Sequence, residues 1–189
     1  MKYIIEFDYR FILIFFLIYI FIICLMKYKF KLNLLNIIAF TILYLYFIFL
    51  VKETQFDIYI NNPDMEKELG SIQLGRDINL IPFKDFFNKT SLLNVIMFIP
   101  IGFLQGFISK SNWIKTLIIG LLFSLFLEIT QLLVRTYVGF NFRIVDINDL
   151  ICNTSGALIG FGILIIFLRL AKGVITNERI VSFLASVEP

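Results

Sequence analysis

The stretch WIKTLIIGLLFSLFLEITQLLVR, from Trp113 to Arg135, places a single acid deep inside a greasy run. About 20 apolar residues are enough to cross the hydrocarbon layer of a bilayer, so this segment reads as a transmembrane helix. A charged side chain at that depth costs at least ~2.5–3.5 kcal/mol, which makes Glu128 a functional candidate by default. Gly120, Ser124, Glu128, Gln131 and Arg135 recur at steps of four, four, three and four, and so share one helical face. The remaining positions are mostly Leu, Ile and Phe. A small, polar stripe on such a helix must face other helices.

Those other helices can be read on either side. Phe11–Met26, Leu34–Val51, Leu92–Ile108 and Leu150–Leu168 are further apolar runs, joining Trp113–Val134 to give five spans. Tyr9, Tyr28, Trp113 and Tyr137 fall where an aromatic belt would put them. Of the 189 residues 59% are hydrophobic, only 16% are charged, 23 are Phe, and the formal net charge is +3. Mean hydropathy is +0.89. A soluble globule could not hide that much apolar surface, which excludes a soluble enzyme, a secreted disulfide scaffold and a disordered chain. The expected fold is all-α: a polytopic helical membrane protein with five transmembrane helices and a long external loop between the second and third.

Histidine is absent, which removes His-based triads, imidazole zinc sites and haem ligation by His. Cys24 and Cys152 sit in apolar runs and, in this topology, near opposite membrane faces, too far apart to bridge. The first span is not read as a cleaved signal, because Glu6 and Asp8 accompany Lys2 and Arg10 and no small-x-small site follows.

The chain divides into two N-terminal helices (1–51), an external loop (52–90), a three-helix core (91–170) and a tail (171–189). Short turns and the tail on one side gather Lys27, Lys29, Lys31, Lys110, Lys115, Arg169, Lys172 and Arg179 against Glu178 and Glu188. That density places the N-terminus outside and the C-terminus in the cytoplasm. The loop 52–90 begins polar, turns at Asn61-Asn62-Pro63-Asp64, and ends in a mixed stretch from Arg76 to Phe87 that reads as amphipathic and membrane-surface-bound.

Polar residues on the last three spans converge. Asn94 lies near the outer end of the third span, with Gly102, Gln105 and Gly106 deeper; Asp146, Asp149, Asn153, Gly156 and Gly160 share a face of the fifth. Gly102-x3-Gly106 and Gly156-x3-Gly160 fall at comparable depth, so these two spans can pack closely there. At 1.5 Å per residue, Glu128 lies about 10 Å below Arg135 and Asn153 about 6 Å inside Asp149. Glu128, Gln131, Asn153 and Asn94 should therefore meet in the outer half of the bilayer, rimmed by Arg135, Arg143, Asp146 and Asp149.

Two readings of this constellation stand side by side. In one, Arg135, Arg143 and Arg76 neutralise Glu128, Asp146 and Asp149 and merely fix helix packing. In the other, the arginines hold an anionic headgroup in a cleft open to the outer leaflet, and an acid, Glu128 or Asp149, transfers a proton or binds a divalent cation. No metal and no cofactor is expected, since the arginines compete for the carboxylate oxygens and no zinc, iron or nucleotide motif occurs. Ser124 and Ser155 lack a base, so a serine nucleophile is not expected.

Asn94-x5-Pro100-x-Gly102, Glu128-x2-Gln131-x3-Arg135 and Arg143-x2-Asp146-x2-Asp149-x3-Asn153-x2-Gly156-x3-Gly160, preceded by Arg76-x2-Asn79-x-Ile81-Pro82-Phe83, resemble the VanZ-like family of small bacterial membrane proteins. The resemblance covers Leu74 to Leu168. It implies candidate functional positions at Arg76, Asn79, Asn94, Glu128, Gln131, Arg143, Asp146, Asp149 and Asn153; Arg135 enters by its helical face alone. It also implies a bacterial plasma-membrane location, an envelope context and an association with resistance to the glycopeptide teicoplanin. The expected partners are membrane lipids and a lipophilic glycopeptide or lipid-linked envelope precursor, with an oligomer allowed and no nucleic acid. The alternative is an integral-membrane enzyme modifying a lipid-linked envelope substrate. Transport fits less well, because five short spans leave little room for alternating access.

Overall fold

Polar caps set the ends of nearly every helix in this chain. A computed structural model describes residues 3–29, 31, 33–70, 78–84, 86, 88–108, 110–140 and 145–174. In chain order the elements are β1 (Tyr3–Ile5), α1 (Tyr9–Cys24, widening into a π turn over Leu25–Lys29), α2 (Leu34–Gln55), β2 (Ile58–Ile60), α3 (Pro63–Leu69), β3 (Ile78–Asn79), α4 (Lys89–Ile108), α5 (Trp113–Val138), β4 (Val145–Asp146) and α6 (Ile147–Val174). Five of the helices, all but α3, are long and apolar enough to cross a membrane. The protein is an all-α multi-pass membrane protein.

Side-chain oxygens of Asp8, Asn33 and Asn112 accept from the amides of Arg10, Asn36 and Lys115 at 2.9, 2.9 and 2.8 Å. Asn88 does the same for Ser91 at 2.8 Å, and Asp146 for Asn148 at 2.8 Å. Each cap satisfies an amide that has no partner inside its own helix. Gly139 closes α5 in the left-handed conformation, φ 87°, which a residue with a Cβ adopts only under strain.

The centre of the molecule is the seam between α4 and α6. Gly156 lies against the Val95 carbonyl, Gly160 against the Ile99 carbonyl and Phe103 amide, and Gly102 against the Ala157 carbonyl. Contacts advance in the same sense along both helices, so α4 and α6 run parallel with their backbones touching. A Cβ at any of these three glycines would overlap main-chain atoms. Gly106 instead receives the Leu164 side chain. With no hydrophobic drive between helices in lipid, such close backbone approach is a principal source of association.

Apolar packing gathers on the seam. Leu50, Phe98, Ile101, Leu127 and Ala157 form one buried cluster joining α2, α4, α5 and α6. Phe161, Leu164, Leu168 and Ala171 form a second toward the other end of α6. At that end Asn36 caps α4 by donating to the Phe107 carbonyl at 2.7 Å. Gln105 donates to Ser111 and Thr116 at 2.8 and 2.7 Å, closing the α4–α5 turn.

α1 is peripheral, with no buried residue. The Tyr44 hydroxyl donates to the Phe15 carbonyl at 2.7 Å, and Tyr19 and Thr41 share a 2.9 Å hydrogen bond. Phe7 and Phe11 meet Phe56 edge-on. β1 pairs antiparallel with β2, Ile4 opposite Tyr59. β3 pairs parallel with β4, Asn79 opposite Asp146. These short ladders, which hydropathy gives no hint of, tie the N-terminus and both long loops to one face of the bundle.

Candidate functional site

Three carboxylates and a set of amides meet at the end of the bundle that carries the two ladders. Glu128 comes from α5, Asp149 from the first turn of α6, and Asp146 from β4 just before it. Asp149 and Asp146 lie within coulombic reach of Glu128, and the Asp146 amide faces the Glu128 carboxyl. Glu128 itself is 8% exposed.

Asparagines hold the acids in place. The Asn94 side chain on α4 donates to Asp149 at 2.5 Å, bridging the top of the glycine seam. Asn79 donates to Asp146 at 2.9 Å, directly across the β3–β4 pair. The same Asp146 oxygen accepts the Asn148 amide. Both carboxyl groups are thus held by neutral amides, whose donors fix the direction in which each oxygen points. Asn153, one turn below Asp149, donates to Ser124 at 2.9 Å and so joins α6 to α5.

α2 also reaches the site, which its sequence did not announce. Buried Gln55 donates to Thr54 and to the Leu127 carbonyl at 3.2 and 3.4 Å. Half-buried Gln131 donates to the Thr54 carbonyl at 3.4 Å. Thr54 and Gln55 fall beyond the apolar run Leu34–Val51, in what reads as loop; the helix continues past the run and carries them inward. Ser91 and Cys152 are further buried neighbours, in side-chain contact beside the Asn94–Asp149 pair.

Asn148 organises the loop above. Its side chain accepts the Phe83 amide at 2.7 Å and donates to the Lys84 carbonyl at 2.8 Å. Phe83 has φ 64°, a left-handed conformation that costs an aromatic residue of order 1–3 kcal/mol and persists only where its surroundings dictate it. Leu80, Ile81 and Phe83 are left exposed on this turn.

The structure brings Asn79, Asn94, Glu128, Asp146, Asp149 and Asn153 together, and turns Gln131 toward α2. Arg135 differs from expectation: at 1% exposure it lies inside the protein, not on an open rim. A long helix carries it there because α5 extends to Val138, four residues past the apolar run. Arg76 and Arg143 lie outside the described residues, so their proposed pairing with the acids does too. Several buried acceptor oxygens, Gln55 Oε1, Glu128 Oε2 and Asn153 Oδ1, have no hydrogen-bond partner among the described residues. Buried polar atoms are nearly always satisfied, by protein groups or by ordered water. No three His, Cys, Asp or Glu residues among those described are grouped to hold a metal ion.

Five spanning helices, a glycine seam and a cluster of acids at one end of the bundle define a small multi-pass helical membrane protein built around a buried carboxylate. The chain belongs to the VanZ/LLP1 family, whose model matches residues 11–168. The match takes in α1 and α2, beyond the Leu74–Leu168 stretch in which the motifs are visible. Among curated proteins and among solved structures, no match is found.

Proposed function

We propose that this protein works in the bacterial plasma membrane, engaging the polar head of a lipid or of a lipophilic glycopeptide in the pocket around Glu128. The observation that carries this reading is the set of buried oxygens left without donors at Gln55, Glu128 and Asn153. An amide- or hydroxyl-rich head could supply those donors, and a ligand with an acyl tail could approach from within the bilayer. Teicoplanin has that character, and family membership adds the envelope context. Basic residues concentrate in the short turns of the opposite face, which favours placing the pocket in the outer leaflet with the C-terminus in the cytoplasm.

The test is susceptibility. Cells making the wild-type protein should survive more teicoplanin, with little change toward vancomycin, which lacks the tail. Glu128→Gln and Asp149→Asn should lose that protection while reaching the membrane at wild-type levels. Equal protection by both variants would remove the pocket from the mechanism.

A second reading has one observation in its favour: the unpartnered Glu128 oxygen, close to Asp149, is placed to exchange a proton, as acid or base, with a bound hydroxyl or amine. The protein would then modify a lipid-linked envelope substrate. Lipid mass spectrometry should show a product that Asp149→Asn abolishes; an unchanged lipid and wall profile would reject it.

A further inference from the structure

We propose that a cavity beside the polar pocket seats one acyl chain of an anionic phospholipid, whose phosphate is held by Lys89. The cavity has a volume of about 550 Å³, well inside the range of small-molecule sites at ~300–1,000 Å³. Phe86, Leu92, Val95 and Cys152 supply its apolar wall, while Asn88, Lys89 and Ser91 are its polar members. Lys89 is the first residue of α4 and is exposed, so the polar rim sits where a span begins and the apolar wall faces into the bilayer.

That arrangement fits one occupant. Hydrocarbon fills an apolar membrane cavity without the desolvation that a polar group would suffer. An ammonium on a flexible stem at the interface is suited to a phosphate. The cavity also adjoins the site: buried Ser91 and Cys152 touch, Asn94 lies three residues beyond Ser91, and Asp149 three before Cys152. A lipid anchored by its tail here, with its phosphate kept at Lys89, would bring the hydroxyl donors of its headgroup toward the Asn94–Asp149 pair. This inference rests on the reading of that pocket as a headgroup site, and it names the bilayer as the source of the ligand and the α4–α6 side as its entrance.

Cys152 is a built-in reporter, because Cys24→Ser leaves it as the sole thiol. The rate of Cys152 alkylation by N-ethylmaleimide would be followed in detergent with added phosphatidylglycerol or phosphatidylcholine. Phosphatidylglycerol should slow alkylation several-fold, and phosphatidylcholine should do so much less. Lys89→Gln, at an exposed position, should erase the difference between the two lipids. Leu92→Trp, which narrows the cavity, should slow alkylation without any added lipid. An alkylation rate indifferent to phosphatidylglycerol, or a lipid preference unchanged in Lys89→Gln, would overturn the proposal. Failure of the neighbouring pocket is told apart by Glu128→Gln: lost drug protection and retained lipid protection of Cys152 support the cavity, whereas equal drug protection alongside a lipid-sensitive thiol removes only the pocket.

Discussion

Asn94 donates its side-chain amide to Asp149 at 2.5 Å, and this bond spans the two helices whose backbones touch just below it. It is at once a structural tie and the wall of the candidate site. Truncating Asn94 to Ala should leave a half-buried carboxylate without its donor and lower stability by about 1.5–3 kcal/mol, the cost of a hydrogen bond to a charged group. Thermal melting in detergent measures it. In the Asp149→Asn background the same truncation should cost less, since the charge is gone.

Gly102→Ala should be more disruptive than its size suggests. The new methyl group would meet the Ala157 carbonyl, so the seam must part or the protein must lose about 1–3 kcal/mol to overpacking. Gly162→Ala is the control: its Cβ would sit 3.5 Å from the Trp113 ring, in ordinary contact. Wild-type melting for Gly162→Ala and a depressed midpoint for Gly102→Ala are the expected pair.

Asn148→Ala should release the turn over Phe83 and Lys84. Two hydrogen bonds disappear, leaving the turn to the 3.4 Å Lys84 amide to Ile81 carbonyl bond and the Phe83–Phe86 ring contact. Trypsin cleavage after Lys84 should accelerate several-fold while the transmembrane helices stay intact, read by mass spectrometry of the fragments.

The N-terminal cap should respond to acid. Asp8 bonds the Arg10 guanidinium and accepts the Arg10 amide, which holds its carboxyl below the usual aspartate range. A pKa lowered by folding gives stabilisation that is present above the unfolded value and fades as pH falls through the folded one. Amide exchange at Arg10 should therefore quicken on acidification, relative to the intrinsic rate, and Asp8→Asn should remove that dependence.

How far these features are legible in sequence follows from what generates them. Spans are legible because hydropathy acts over about 20 residues. Glu128 stands out because charge is rare in lipid, and its stripe with Ser124 follows from helical periodicity. The two glycine pairs announce a close approach of α4 and α6, but not its register: Gly156 meets Val95 and Gly102 meets Ala157, rather than one another. Thr54 and Gln55 were hidden because the apolar run stops at Val51 while hydrogen bonding carries the helix four residues further. Burial of Arg135 was hidden for the same reason at the end of α5. Asn148 sits beside Asp146 and looks like one more capping residue, and its grip on Phe83, 65 positions away, belongs to tertiary structure alone. Ladders of two or three residues, such as Asn79 with Asp146, are too short for any periodicity.

The glycine seam has a consequence for how this molecule can move. Two parallel rods locked main chain to main chain can neither roll nor slip past each other, so they behave as one strut. Any gate that admits a guest must be cut from what surrounds it: the loosely moored first helix, the Phe83 bend, or a swing of α5 about the strut.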